Sequence, residues 1–298
     1  MIAASEESSG DMGKAPDIGL KRAKRALPQM DHEERLAFIA EGLPLILTSA
    51  QGFWHAARAL ESAPREAEVL EGFAKEEAAK ILILIDAVRC PARLLPGKIG
   101  KILDWFYSHH ARLIYAKAAS WKATDLVQLR EYVKPCLKSH YVEGMCGEYI
   151  LPNWELYQRE TQLYVDIQEH DDGTLGWSAP MACPRGFGFF RPRSLVVAEA
   201  MSALGMFTIG GLKAMSDIWG MVHFVGNESC VDAQRLTKEL LERLISEKLS
   251  NEEATQEHVN LLYSDWQLPM YDFDLRRIEV SLEELQAEQE GIYWSQFG

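Results

Sequence analysis

Apolar residues recur at three- and four-residue intervals along most of this chain, the spacing of one face of a helix. The pattern predicts a first helix over 31–60, kinked or split at Pro44, and a second over 64–89, opened by Pro64 and stopped by Pro91. A third follows over 97–119 and a fourth over 122–139, interrupted near Pro135. Short connections predict antiparallel neighbours in a bundle. The texture then changes: β-branched and aromatic residues flank Asp171-Asp172-Gly173 in 162–180, which reads as a hairpin. Residues 181–193 are rich in Gly and Pro and read as a linker. Helical spacing resumes over 194–205, 211–224, 231–249 and 251–264, and an acidic, aromatic tail from Tyr271 holds one short helix near 281–290. The expected fold is mainly α, an antiparallel helical bundle with a small β-hairpin insertion and a further C-terminal helical region. Residues 1–30 read as a disordered leader, 31–180 as bundle and hairpin, and 194–298 as the C-terminal region.

One position breaks the apolar stripe of the second helix. Leu70, Phe73, Ile81, Leu84 and Val88 share a face, and Glu77 falls inside it. A carboxylate there costs several kcal/mol unless a partner meets it. The third helix offers partners, because His109 and His110 sit at the centre of its own stripe (Ile99, Leu103, Phe106, Leu113), with Arg112 adjacent. Glu76 and Lys80 form a further i, i+4 pair. Glu77 is therefore expected to be mostly buried and to meet His109, His110, Arg112 or Lys80. The meeting is either a satisfied polar cluster or a chemical site.

Composition narrows the chemistry. With 47% hydrophobic residues, the chain has material for a large core. It has no 18-residue uncharged apolar run and no apolar signal-peptide centre, so a cytoplasmic protein with no membrane partner is expected. The five cysteines are widely spaced and form no C-x-x-C, which points to free buried thiols rather than disulfides or zinc. Net charge is −13, yet residues 89–139 hold ten Lys and Arg against three acids, leaving −20 on the rest. That basic stretch is either a solvated helix face or an anion-binding surface. No Glu-x-x-His lies in the bundle, which argues against a di-metal site. G-x-S-x-G, the phosphate-loop motif and a helix-opening G-x-G-x-x-G are missing too, so no metal or cofactor is expected.

Four stretches carry a resemblance. "EGLPLILTSAQGFWHAARAL" (41–60), "GFAKEEAAKILIL" (72–84), "FYSHHARL" (106–113) and "LYVDIQEHDDGTLGWSAP" (163–180) resemble, in order and rough spacing, the AbiV family of abortive-infection proteins. That family belongs to the HEPN helical-bundle superfamily. The resemblance covers about residues 38–180 and implies a HEPN-like bundle acting in defence against phage. It further implies an action on RNA or the translation machinery, a phage protein as trigger, and a homodimer paired through 31–140. Many HEPN proteins are metal-independent ribonucleases, which makes His109, Arg112 and Glu77 the candidate catalytic residues, with His140, Lys134 and His110 in reserve. Glu76, Lys80, Lys101 and Lys117 are the candidate binding residues. The resembling segment lacks the superfamily's Arg-x(4–6)-His; its nearest approach is Lys134 followed by His140. The competing reading is a non-catalytic helical interaction protein in which Glu77 and His109 form a structural cluster.

Overall fold

The computed structural model describes residues 20–60, 62–169, 173–180 and 190–297. Residues 1–19 of the expected leader and 181–189 of the expected linker lie outside them, but 20–29 do not follow the expectation of disorder. Leu20–Gln29 forms α1. Arg35 holds its end, with Nε donating to the Leu27 carbonyl at 3.2 Å and Nη2 to that of Met30 at 2.6 Å.

α2, His32–Ala59, opens on a reciprocal cap in which Asp31 Oδ1 accepts from Glu34 N at 2.8 Å and Glu34 Oε2 from Asp31 N at 3.1 Å. Pro44 neither splits nor ends this helix. It lies on the exposed side of the helix, away from the core. α2 is long and apolar enough by composition to cross a membrane. Here its Leu36, Ile39, Leu43, Leu47, Ala50 and Trp54 face packs against α3, Pro64–Arg89.

α3 is the central element, with α2, α5, α8 and α9 packed around it, and Ile81, Leu82, Ile83 and Ile85 have no exposed surface. The expected third helix is two. Ser108 adopts an extended backbone, and its hydroxyl accepts from Ala111 N at 3.2 Å. It therefore ends α4 (Leu95–Tyr107) and caps α5 (His109–Ala118). α6 runs Leu126–Leu137 from an Asp125 cap, with Pro135 inside its last turn.

Residues 140–163 hold elements the hydrophobic pattern does not announce. β1 (His140–Glu143) and β2 (Tyr149–Pro152) form a hairpin, and α7 (Trp154–Leu163) starts at Asn153. The hairpin expected in 162–180 is present as β3 (Asp166–Glu169) and β4 (Leu175–Ser178). The C-terminal region supplies α8 (Arg193–Ala203), α9 (Ile209–Trp219), α10 (Cys230–Ser246), α11 (Gln256–Asp265) and α12 (Leu282–Phe297). Gly205, at φ +77°, ends α8 early, since a side chain there would collide with the Leu249 carbonyl.

The C-terminal helices and the bundle share one apolar cluster, from Leu27 through Leu275. At its centre Asp86 and Arg89 are both without exposed surface and ion-paired, Nε to Oδ1 at 3.0 Å. Distant chain completes the node. Arg89 Nη1 donates to the Gln267 carbonyl at 2.9 Å, and Asp86 Oδ2 accepts from Tyr115 at 2.9 Å and Met270 N at 2.6 Å. The guanidinium packs against both Trp219 and Trp266, 4.7 and 4.4 Å from their ring centres, while the two indoles touch each other at 5.0 Å. Burial and the Asp86 carboxylate drive the Tyr115 hydroxyl well above its usual pKa, so it stays a donor.

Candidate functional site

Neighbours on a helix point about 100° apart, and that angle decides which carboxylate is buried deeper. Glu77 is mostly buried, as expected, but Glu76 lies deeper in the bundle: its side chain is 4% exposed, that of Glu77 19%. Of the four partners expected for Glu77, it takes Lys80, one turn along. The Lys80 ammonium also lies 5.5 Å from the centre of the Phe106 ring.

Glu76 gathers three partners from two other helices, two guanidinium groups and an imidazole. His109 Nδ1 is 2.6 Å from Glu76 Oε2, and Arg112 Nη1 is 3.7 Å from the same oxygen. Arg159 Nε, from α7, donates to Glu76 Oε1 at 2.8 Å. Arg112 is anchored by its own Nε, which donates to the Phe106 carbonyl at 2.8 Å. The break at Ser108 positions His109: as first residue of α5 its ring reaches Glu76 while 53% of the side chain remains exposed. Arg159 Nη2 also approaches His109 Nδ1 at 3.4 Å, but that nitrogen cannot accept from arginine while donating to Glu76. The much shorter carboxylate contact decides the tautomer. A neutral His109 carries its proton on Nδ1 and presents Nε2 as a base.

His109 borders a groove of about 760 Å³, lined also by Lys101, Trp105, His110, Leu156, Glu160 and residues 274–277. The chemistry on offer is a half-exposed imidazole oriented by a buried carboxylate, with two guanidinium groups beside it. That set suits proton transfer next to an anion.

Of the remaining candidates, Lys101 and His110 line the same groove, whereas Lys117, Lys134 and His140 do not. His110 is buried, its Nε2 2.5 Å from the Cys136 carbonyl, which also accepts from Asn153 Nδ2 at 2.6 Å. Burial, reinforced by Arg277 and only partly opposed by the Cys136 bond, holds the His110 pKa below its ordinary value of 6.5. The unfolded chain therefore takes up a proton that the folded chain refuses. Stability is fully present above about pH 6.5, falls as pH drops below it, and levels once pH passes the folded pKa. Urea titrations between pH 7.5 and 5 should show this fall in the wild type and a smaller one in His110→Gln.

Lys134 is exposed and pairs with Glu131 at 3.3 Å, while His140 is exposed at the start of β1. Lys101 lies 5.2 Å from the Trp105 ring centre, its pKa lowered by burial, and Lys117 pairs with Glu155 at 3.1 Å. The basic stretch is thus largely neutralised from within. Lys98 meets Asp272, Lys138 meets Glu288, Arg89 meets Asp86, and Arg112 meets Glu76.

The thiols differ from the expectation of uniform burial. Cys90 and Cys136 are buried and free, Cys230 is half-buried and free, and Cys146 is half-buried. Burial raises the Cys90 thiol to about 12, which makes it a poor nucleophile. Cys183 lies outside the described residues. Among those residues, no three His, Cys, Asp or Glu side chains converge as a metal-binding set.

Arg159 is the member that sequence reasoning missed. Its helix carries a readable start, since Asn153 precedes Trp154-Glu155 and its Oδ1 accepts from Leu156 N at 3.2 Å. An Arg-x(4–6)-His spacing does occur outside the resembling segment, at Arg25 and His32. It straddles the break between α1 and α2, and His32 Nε2 lies 3.2 Å from Ser216 Oγ of α9, apart from the Glu76 cluster. Compared with known protein families, with characterised proteins and with solved structures, the chain finds no match.

Proposed function

We propose that the protein is a cytoplasmic effector of abortive-infection type with a HEPN-like fold, acting as a homodimer that cleaves RNA without a metal. The observation that carries the reading is His109, half-exposed over a groove and held at Nδ1 by the buried Glu76 beside Arg159. In this reading Nε2 takes the proton of a ribose 2′-hydroxyl as its oxygen bonds to the adjacent phosphorus. The bond to the 5′-oxygen breaks, that oxygen takes a proton from water, and Arg159 offsets the charge that develops on the phosphate oxygens of the resulting cyclic phosphate. Phe38 and Leu45, 50% and 72% exposed two turns apart on the outer side of α2, support pairing through the bundle.

A second reading, a non-catalytic helical interaction protein, is favoured by the internal pairing of the basic stretch. One experiment separates the two. Purified protein is incubated with total RNA and EDTA, beside His109→Ala and Arg112→Lys. Discrete fragments that survive EDTA and vanish in His109→Ala, with unchanged melting, are expected. Arg112→Lys should keep the activity if that residue acts as a point charge and lose it if it grips phosphate bidentately. No cleavage, with His109→Ala less stable by about 1–2 kcal/mol, would establish the structural reading. A His109→Ala protein that is fully stable and fully active would remove both.

A further inference from the structure

Two glycines inside α2 weaken the helix without a packing reason within the chain. Gly42 and Gly52 both lie in its interior, where glycine is less stable than alanine. Close packing explains such a residue at Gly211, whose Cβ would strike the Gly205 carbonyl. A Cβ at Gly42 or Gly52 would meet no atom within 4 Å.

Both glycines belong to the side of α2 turned away from α3, and that side is uneven along its length. Its N-terminal half carries Phe38 and Leu45, 50% and 72% exposed; its C-terminal half carries the small residues Gly52, Ala56 and Ala59. Charge divides the same way. Exposed Glu34 and Glu41 lie toward the N-terminus, exposed His55 and Arg58 toward the C-terminus. A face that is bulky and acidic at one end, and small and basic at the other, complements itself when turned end to end.

We propose that a second copy of this chain covers it, its α2 antiparallel to the first, with the twofold axis between Thr48 and Ser49. That axis sets Leu45 over the partner's Gly52, Phe38 against the partner's Ala59, and Gly42 beneath the partner's His55. Each glycine then lies where a larger side chain comes in. Glu41 falls beside the partner's His55, and the two helix dipoles oppose. A parallel pair would instead set Leu45 on Leu45 and Glu41 on Glu41. A membrane fits worse, although α2 is long and apolar enough to cross one: Glu41, Thr48 and Ser49 stand on the open side, and Leu43 and Leu47 are buried in the core. The inference rests on the homodimer of the proposed function, to which it gives a surface and a direction; it does not depend on RNA cleavage.

The test is light scattering at micromolar concentration, with disulfide cross-linking beside it. The wild type should have the mass of two chains. Gly52→Leu, whose Cβ meets open space in a single chain, and Leu45→Glu should keep the wild-type circular dichroism. Each should raise the dimer dissociation constant about tenfold or more. Ser49→Cys, at the axis, should link two chains on oxidation beyond the background of the wild-type cysteines, and Glu34→Cys, far from the axis, should not. A wild type of single-chain mass overturns the inference, whether or not it binds phosphatidylcholine vesicles. So does a dimer that both Gly52→Leu and Leu45→Glu leave intact, an unlinked Ser49→Cys, or linking of both cysteine variants, the mark of a parallel pair. A dimer lost in Gly52→Leu, with no RNA cleaved by the wild type, keeps this interface and removes the ribonuclease reading.

Discussion

Asp86→Ala should destabilise the protein by about 3–5 kcal/mol. The change leaves the Arg89 guanidinium charged, without exposed surface and packed against two indole rings. It also removes the acceptor of the Tyr115 hydroxyl and of the Met270 N–H. Calorimetry should show the melting temperature lowered by roughly 10 °C. Asp86→Leu/Arg89→Met, which removes both charges, should recover part of that loss but not all of it. The Met270 N–H and the Gln267 carbonyl would still lack partners, at about 1–3 kcal/mol for each group left buried. A single variant that melts within 2 °C of the wild type would count against the node's role (roughly 1 kcal/mol or less).

The second large effect discriminates between adjacent residues. Glu76→Ala strands Arg112 and Arg159 beside each other under a half-exposed imidazole, and should cost about 3–5 kcal/mol. Glu77→Ala removes a part-buried pair with Lys80 and should cost less, about 1–2 kcal/mol. Denaturant titration of the two variants in parallel measures the contrast. Equal losses would mean that the cluster around Glu76 has no special weight.

That contrast also shows how far hydrophobic patterning reaches. The bounds of α3 were legible because Pro64 and Pro91 punctuate a strongly apolar helix. Which of two adjacent glutamates lies deeper was not, since a stripe drawn through Leu70, Phe73, Ile81 and Val88 passes close to both, and small differences of rotation decide. The presence of His109 near a core carboxylate was legible; its exposure was not, because Ser108 reads as mid-helix until its hydroxyl is seen to cap α5. The excess of cations in 89–139 was legible as charge, but the carboxylates that neutralise it come from residues as distant as Asp272 and Glu288. No local pattern announces such pairs. Arg159 belongs to the same class, brought to Glu76 from 83 positions along the chain.

The Asp86–Arg89 node also bears on the order in which the chain folds. Arg89 and its Gln267 acceptor are 178 residues apart, and Asp86 and Met270 are 184 apart. A ribosome adds about 5–20 residues each second, so α3 is made roughly ten seconds or more before the segment that completes its burial. Until then its charged end has no closed shelter, and the Ile81–Ile85 run beside it lacks part of its cover. The bundle is therefore expected to reach its native packing late, through contacts of high sequence separation and correspondingly slow closure. A nascent chain stalled before Gln267 would present that isoleucine-rich helix to chaperones or to aggregation.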